Sequence, residues 1–112
     1  MKTQATNFFC DLTVLSEQER EQFASVTEAL FAAMQETREL ENGFAFRLHN
    51  RPGQLVQTAK FIERESQCCP FLHFKLEIEP EAGPVWLHIT GTKGAKDFLR
   101  AELGQIQNAE EA

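Results

Sequence analysis

Two cysteines and a proline stand consecutively at Cys68-Cys69-Pro70, with Glu65 one helical turn earlier and Phe71 immediately after. Adjacent thiols offer soft sulfur to Zn(II), Cu(I) or Hg(II), ions that thiolates hold well. Both can reach one ion only if the backbone bends between them. Pro70 supplies the bend, because proline disfavours helical backbone at the residue before it, and a helix running into the tripeptide must stop near Cys68. Glu65 shares the side of that helix that carries the cysteines, as an oxygen ligand or as a base for a thiol proton. Cys10 is the remaining cysteine, and it adds a third sulfur if the N-terminal segment passes the end of the helix. The candidate metal ligands are therefore Cys68 and Cys69, with Cys10 or Glu65.

Two other roles compete for the same residues. Reduced cysteine packs as a small hydrophobe, so the pair can simply be core. A nucleophilic or redox role needs a depressed thiol pKa. A helix C-terminus is the negative end of the macrodipole, and Glu65 adds negative charge, so both push the thiol pKa upward. A metal reverses that penalty by binding the thiolate outright. The local electrostatics thus favour a ligand over a nucleophile, although the spacing matches no paired C-x-x-C zinc motif.

The rest of the chain must position these groups. Its 112 residues suffice for one domain with a single core over residues 6–105, followed by a frayed tail over 106–112. Ten Phe against one Trp and no Tyr predict an aromatic core with few hydrogen bonds. The net charge of −6 argues against direct nucleic-acid binding, which needs a basic face, but leaves room for a small ligand, a protein partner or a homodimer. No apolar run reaches the length of a membrane span, and the polar start at Met1–Ala5 lacks the apolar stretch of a signal peptide. The expected compartment is the cytoplasm, and the expected state of the three cysteines is reduced.

Residues 6–14, which include Cys10, read as a short strand or an extended lead-in. Ser16-Glu17-Gln18-Glu19 is a capping box that opens a helix. Phe23, Val26, Thr27, Leu30, Phe31 and Met34 then form one apolar stripe at helical spacing. Asn42-Gly43 predicts a hairpin between strands at Thr37–Leu40 and Phe44–His49, in preference to a helix that runs on to Leu40 under a Gly43 cap. After the turn Asn50–Gly53 a second helix spans Gln54 to Cys68. Leu72, Phe74, Leu76 and Ile78 alternate with polar residues, as do Val85, Leu87 and Ile89, which predicts a second hairpin around Pro80–Gly83. A last helix from Ala95 to Gln105 should bury Phe98, Leu99 and Leu103. The expected class is α+β: a single domain in the order helix, hairpin, helix, hairpin, helix, with the helices on one face of an antiparallel sheet.

Two further constellations carry weaker signals. His73, His88 and Trp86 share the strand face opposite the apolar set and can line a second polar site, while His49 ends a strand with no evident partner. Gly91-Thr92-Lys93-Gly94-Ala95-Lys96 lies between a strand and a helix but lacks the G-x-x-x-x-G-K-[ST] pattern, and reads as a turn and helix start rather than a phosphate loop. No Ser–His–Asp arrangement or dinucleotide fingerprint is present.

The segment Glu65-Ser66-Gln67-Cys68-Cys69-Pro70-Phe71-Leu72-His73-Phe74-Lys75-Leu76 resembles a group of small bacterial proteins with the pattern E-x-x-C-C-P-F-x-x-F-x-L. It is also similar to a C-terminal module found in some MerR-type transcriptional regulators. Cys10-Asp11-Leu12 matches the upstream Cys-x-Leu element of that group, and Gly91–Leu99 resembles its end, so the likeness runs from Cys10 to Leu103. This chain lacks the N-terminal helix-turn-helix of the fused regulators. The resemblance implies an effector or metal-sensing module acting alone, since MerR-type regulators often respond to thiophilic metals. A thiol-based redox protein or enzyme, and a structural or interaction module with buried cysteines, are the competing expectations.

Overall fold

The computed structural model describes residues 11–92 and 94–102. Asp11 caps a short 3-10 turn at Leu12–Val14 by accepting from the Thr13 N–H. Leu12 and Val14 are exposed, so residues 11–14 form no strand, and the remainder of the expected 6–14 segment lies outside the described residues. Helix α1, Glu17–Ala33, opens on the expected capping box: the Ser16 side chain accepts from the Glu19 N–H, and Glu19 reciprocates at the Ser16 N–H. Its stripe buries Val26, Leu30 and Ala33.

Strand β1, Met34–Leu40, follows α1 with no intervening loop. It begins earlier than Thr37, because Met34 already has extended backbone at the helix C-cap. Strand β2, Gly43–Leu48, pairs with it antiparallel, Leu40 facing Gly43 across the two-residue turn Glu41-Asn42. This excludes a helix running on to Leu40. Gly53 then sits at φ +89°, a left-handed conformation that glycine adopts without a Cβ penalty, and starts helix α2, Gln54–Cys68. Strands β3, His73–Ile78, and β4, Val85–Thr90, form a second antiparallel pair. Residues 94–102 are helical and are called α3. The expected burial of Leu103 lies outside the described residues, as do the end of that helix and the tail.

The fold is α+β, with one four-stranded antiparallel sheet in the order β1-β2-β4-β3. The β2–β4 contact joins the two pairs, with Phe44 facing Ile89, Phe46 facing Leu87 and Leu48 facing Val85. These six residues are buried, and they form one core cluster with Val26 and Leu30 of α1, Phe61 and Cys68 of α2, and Leu99 of α3. The helices therefore cover one sheet face. Period-two alternation sends Ala45, Arg47, Trp86 and His88 to the other. Ile78, expected inside, is exposed at the end of edge strand β3.

Gly43 is fixed by packing rather than by turn conformation. A Cβ there would fall 2.1 Å from the Ile89 carbonyl oxygen and 2.7 Å from Thr90 Cα. Both obstacles are backbone of the paired strand, which cannot rotate away. The substitution Gly43→Ala is expected to destabilise the protein by about 2–3 kcal/mol through this overpacking. Urea denaturation would show it as a lowered midpoint at unchanged slope, and an unaltered midpoint would mean that β2 and β4 do not approach so closely.

Candidate functional site

Helix α2 ends where the sequence places the chemistry. Its last helical bond runs from the Cys69 N–H to the Glu65 carbonyl at 2.7 Å, and Cys69 itself has left helical backbone at φ −126°, ψ 67°. Pro70 has no N–H with which to continue the ladder. The chain turns instead, the Leu72 N–H donating to the Cys69 carbonyl. The freed Cys68 carbonyl accepts from the Asp11 N–H at 2.8 Å, so the N-terminal segment does pass the end of α2. Phe71 holds the turn from the other side, meeting the Phe98 ring of α3 edge-on at 5.3 Å between centroids.

This geometry gathers three of the four expected ligands. Ligand atoms of Glu65, Cys68 and Cys69 all lie within 4.8 Å of one another, and the two sulfurs are 3.9 Å apart. Cys68 and Cys69 are buried. Cys10 lies outside the described residues. Cys68 is a free thiol whereas Cys69 is disulfide-bonded, which departs from the expectation that all three cysteines are reduced.

Burial and charge set the protonation of the group. The Cys68 thiol is pushed up to about 11, first by desolvation and then by the Glu65 carboxylate. Glu65 is itself raised to about 7, first by burial and then by the charge of Glu102. Burial also raises Glu102. The direction at Cys68 is the one expected from Glu65 and the helix end, with desolvation as the larger cause. A thiol so raised is overwhelmingly protonated at neutral pH and is a poor nucleophile.

The same three groups line a cavity of about 270 Å³ between the helices and the sheet. Phe23, Leu30 and Phe31 of α1, Phe46 of β2, Phe61 of α2 and Leu99 of α3 form apolar wall. Glu65, Cys68, Glu102 and Thr27 contribute its polar groups, and the Thr27 hydroxyl is shielded from solvent with no hydrogen-bond partner. Sequence reasoning assigned Thr27 only to the helix stripe and gave Glu102 no role. Glu102 follows Leu99 by one helical turn, which could have placed it on the inner face of α3.

The second expected site assembles in part: Trp86 and His88 line one small cavity with Arg38 and Glu77, without His73. His73 faces Thr90 and is exposed, while His88 faces Lys75, which leaves the imidazoles as diagonal neighbours. His88 Nε2 lies 3.5 Å from Glu77 Oε1. Trp86 is buried under the Arg38 guanidinium, 4.3 Å above its ring. His49 keeps a buried Nδ1 without a partner. Lys96, from the glycine-containing turn, pairs with Glu39 at 2.7 Å, and Lys93 lies outside the described residues. Among the described residues, no helix is long and apolar enough to cross a membrane. Comparison with protein-family models, curated proteins and solved structures finds no match to this chain.

The raised carboxyl has a consequence for stability. In the unfolded chain Glu65 titrates near its ordinary 4.5, and in the folded protein near 7. The folded state therefore holds the proton more tightly, and the favourable contribution, complete below about pH 4.5, is lost as pH rises through 7. Unfolding free energy is expected to fall by on the order of 2–3 kcal/mol across that window. Glu65→Gln should flatten most of the fall and leave the protein more stable than wild type at pH 8. Chemical denaturation at a series of pH values checks this, and an undiminished slope in the variant would refute it.

Proposed function

We propose that the protein is a binding or sensing module that holds a thiophilic metal ion through Cys68 and Cys69, with Glu65 as oxygen ligand. The observation that carries this reading is the convergence of two sulfurs and a carboxylate within 4.8 Å at a helix end. Cys69 enters the ligand set once its disulfide is reduced, which suits a reducing compartment such as the cytoplasm. Cys10 stays in the proposal as a further sulfur, because its sequence neighbour Asp11 is hydrogen-bonded to Cys68. The resemblance to the E-x-x-C-C-P-F proteins and to MerR-associated modules supports the same class of ligand, with Zn(II), Cu(I) and Hg(II) as candidates.

The ion's task is to displace the Cys68 proton. A sulfur with so high a pKa is a strong donor once deprotonated, and a metal supplies the positive charge that desolvation and Glu65 otherwise make it lack. Burial does not isolate the sulfur, since Cys68 and Glu65 both line the cavity.

A second reading is favoured by one specific observation. Cys68 and Cys69 belong to the core cluster, and Cys69 is disulfide-bonded, so the pair can serve packing and cross-linking alone. A nucleophilic role is the least supported, given the raised thiol.

Native mass spectrometry of the reduced protein with Zn(II), Cu(I) or Hg(II) separates the two. The metal reading expects one ion per chain, lost in Cys68→Ser/Cys69→Ser. It also expects the apparent affinity to rise by about tenfold per pH unit for each thiol proton displaced. The packing reading expects no stoichiometric ion, and a loss of several kcal/mol of stability on reduction.

A further inference from the structure

The Cys68 sulfur accounts for only one part of the cavity wall. Most of that wall is phenyl and aliphatic surface from the three helices and the sheet, enclosing about 270 Å³. That is near the lower end of small-molecule sites, and suits a single ring with a short chain. Two carboxyl groups, Glu65 and Glu102, line the same space and lie close enough for one to feel the other's charge.

Among the described residues, no cation pairs with either carboxyl. The basic residues nearest in sequence are committed elsewhere. Arg64 bonds to Gln22 and lies 3.5 Å from Glu19, while Arg100 and Lys96 both pair with Glu39. Ionising two carboxyls in an apolar enclosure without a counter-charge is costly, and buried charges are normally paired. The unpartnered Thr27 hydroxyl adds a further unmet polar group in the same wall.

We propose that this cavity binds a small organic cation, an ammonium or guanidinium on an apolar body of one ring, its charged end against Glu65 and Glu102 and its body among Leu30, Phe31, Phe46 and Phe61. The acid pair selects charge, and the phenyl walls select an apolar body over a hydrated inorganic cation. The inference does not rest on the metal reading, because it uses the carboxyls and the apolar wall and assigns no role to sulfur.

The test is calorimetric titration of the full chain at neutral pH with 2-phenylethylammonium and with its neutral counterpart 2-phenylethanol. Amide chemical-shift mapping would locate any binding. The ammonium is expected to bind at least about tenfold more tightly than the alcohol, a discrimination that partly desolvated charge pairing can supply. Glu65→Gln and Glu102→Gln should each shrink that ratio while leaving the alcohol's affinity unchanged. Thr27→Leu, which removes the unpartnered hydroxyl and fills the space, should abolish binding of both without unfolding the protein. Stripping any metal with a chelator should leave the ratio intact, so this proposal and the metal reading fail separately. Equal affinity for the two ligands would overturn the cation assignment. Absence of millimolar binding by either, or shifts that map outside the cavity, would show that the space is packing volume or is covered by the chain's own ends.

Discussion

Pro70 is the constraint on which the arrangement at the end of α2 depends. By ending the helix it leaves Cys69 outside helical backbone while Cys68 is still within it, so two neighbouring side chains converge instead of diverging by the 100° that separates successive residues in a helix. It also leaves the Cys68 carbonyl without an intrahelical donor, and the Asp11 N–H takes that place. The end of the helix thus brings the sulfurs together and ties the start of the described chain to the centre of the site. Phe71, on the far side of the proline, anchors the turn against α3, so three otherwise separate segments meet there.

Around this junction the protein sets polar groups against an apolar background. The thiol and both carboxyls are displaced in the direction that disfavours charge, and desolvation leads the causes in each case. A group kept neutral by its surroundings gives up little when a cation arrives, because the incoming charge stabilises the ionised form that burial penalised. The energetic cost of the empty site and the affinity of the filled one have the same origin. Folding must supply that cost from elsewhere, and the β2–β4 seam, where three apolar pairs face one another under the helices, is one visible source.

Much of this was legible in the sequence where a local rule has one outcome. The Ser16–Glu19 capping box, the Gln54–Cys68 helix and the alternation through β3 and β4 all rest on short-range periodicity, and the α+β class follows from them. The start of β1 was less legible, since a helix that passes directly into a strand carries no glycine or proline at Met34 to mark the change. Gly43 was recognisable as special, but for the wrong reason: its need is the Ile89 backbone across the seam, a tertiary fact. Glu65, Cys68 and Cys69 could be grouped because one helix end holds them. Glu102 could not be joined to Glu65, nor Arg38 to Trp86, because those meetings depend on how α3 and β1 dock. The disulfide at Cys69 ran against an argument from compartment, which carries no geometry.

Trp86, the only tryptophan, lies under Arg38 on the sheet face turned away from the helices. Phe46 and Ile89, on the opposite face, line the cavity. The native fluorescence of this protein therefore reports the integrity of the sheet, where loss of the guanidinium and exposure of the indole accompany unfolding. A small molecule entering between the helices and the sheet would not meet the indole, and its arrival would leave the tryptophan emission unchanged unless the strands themselves moved.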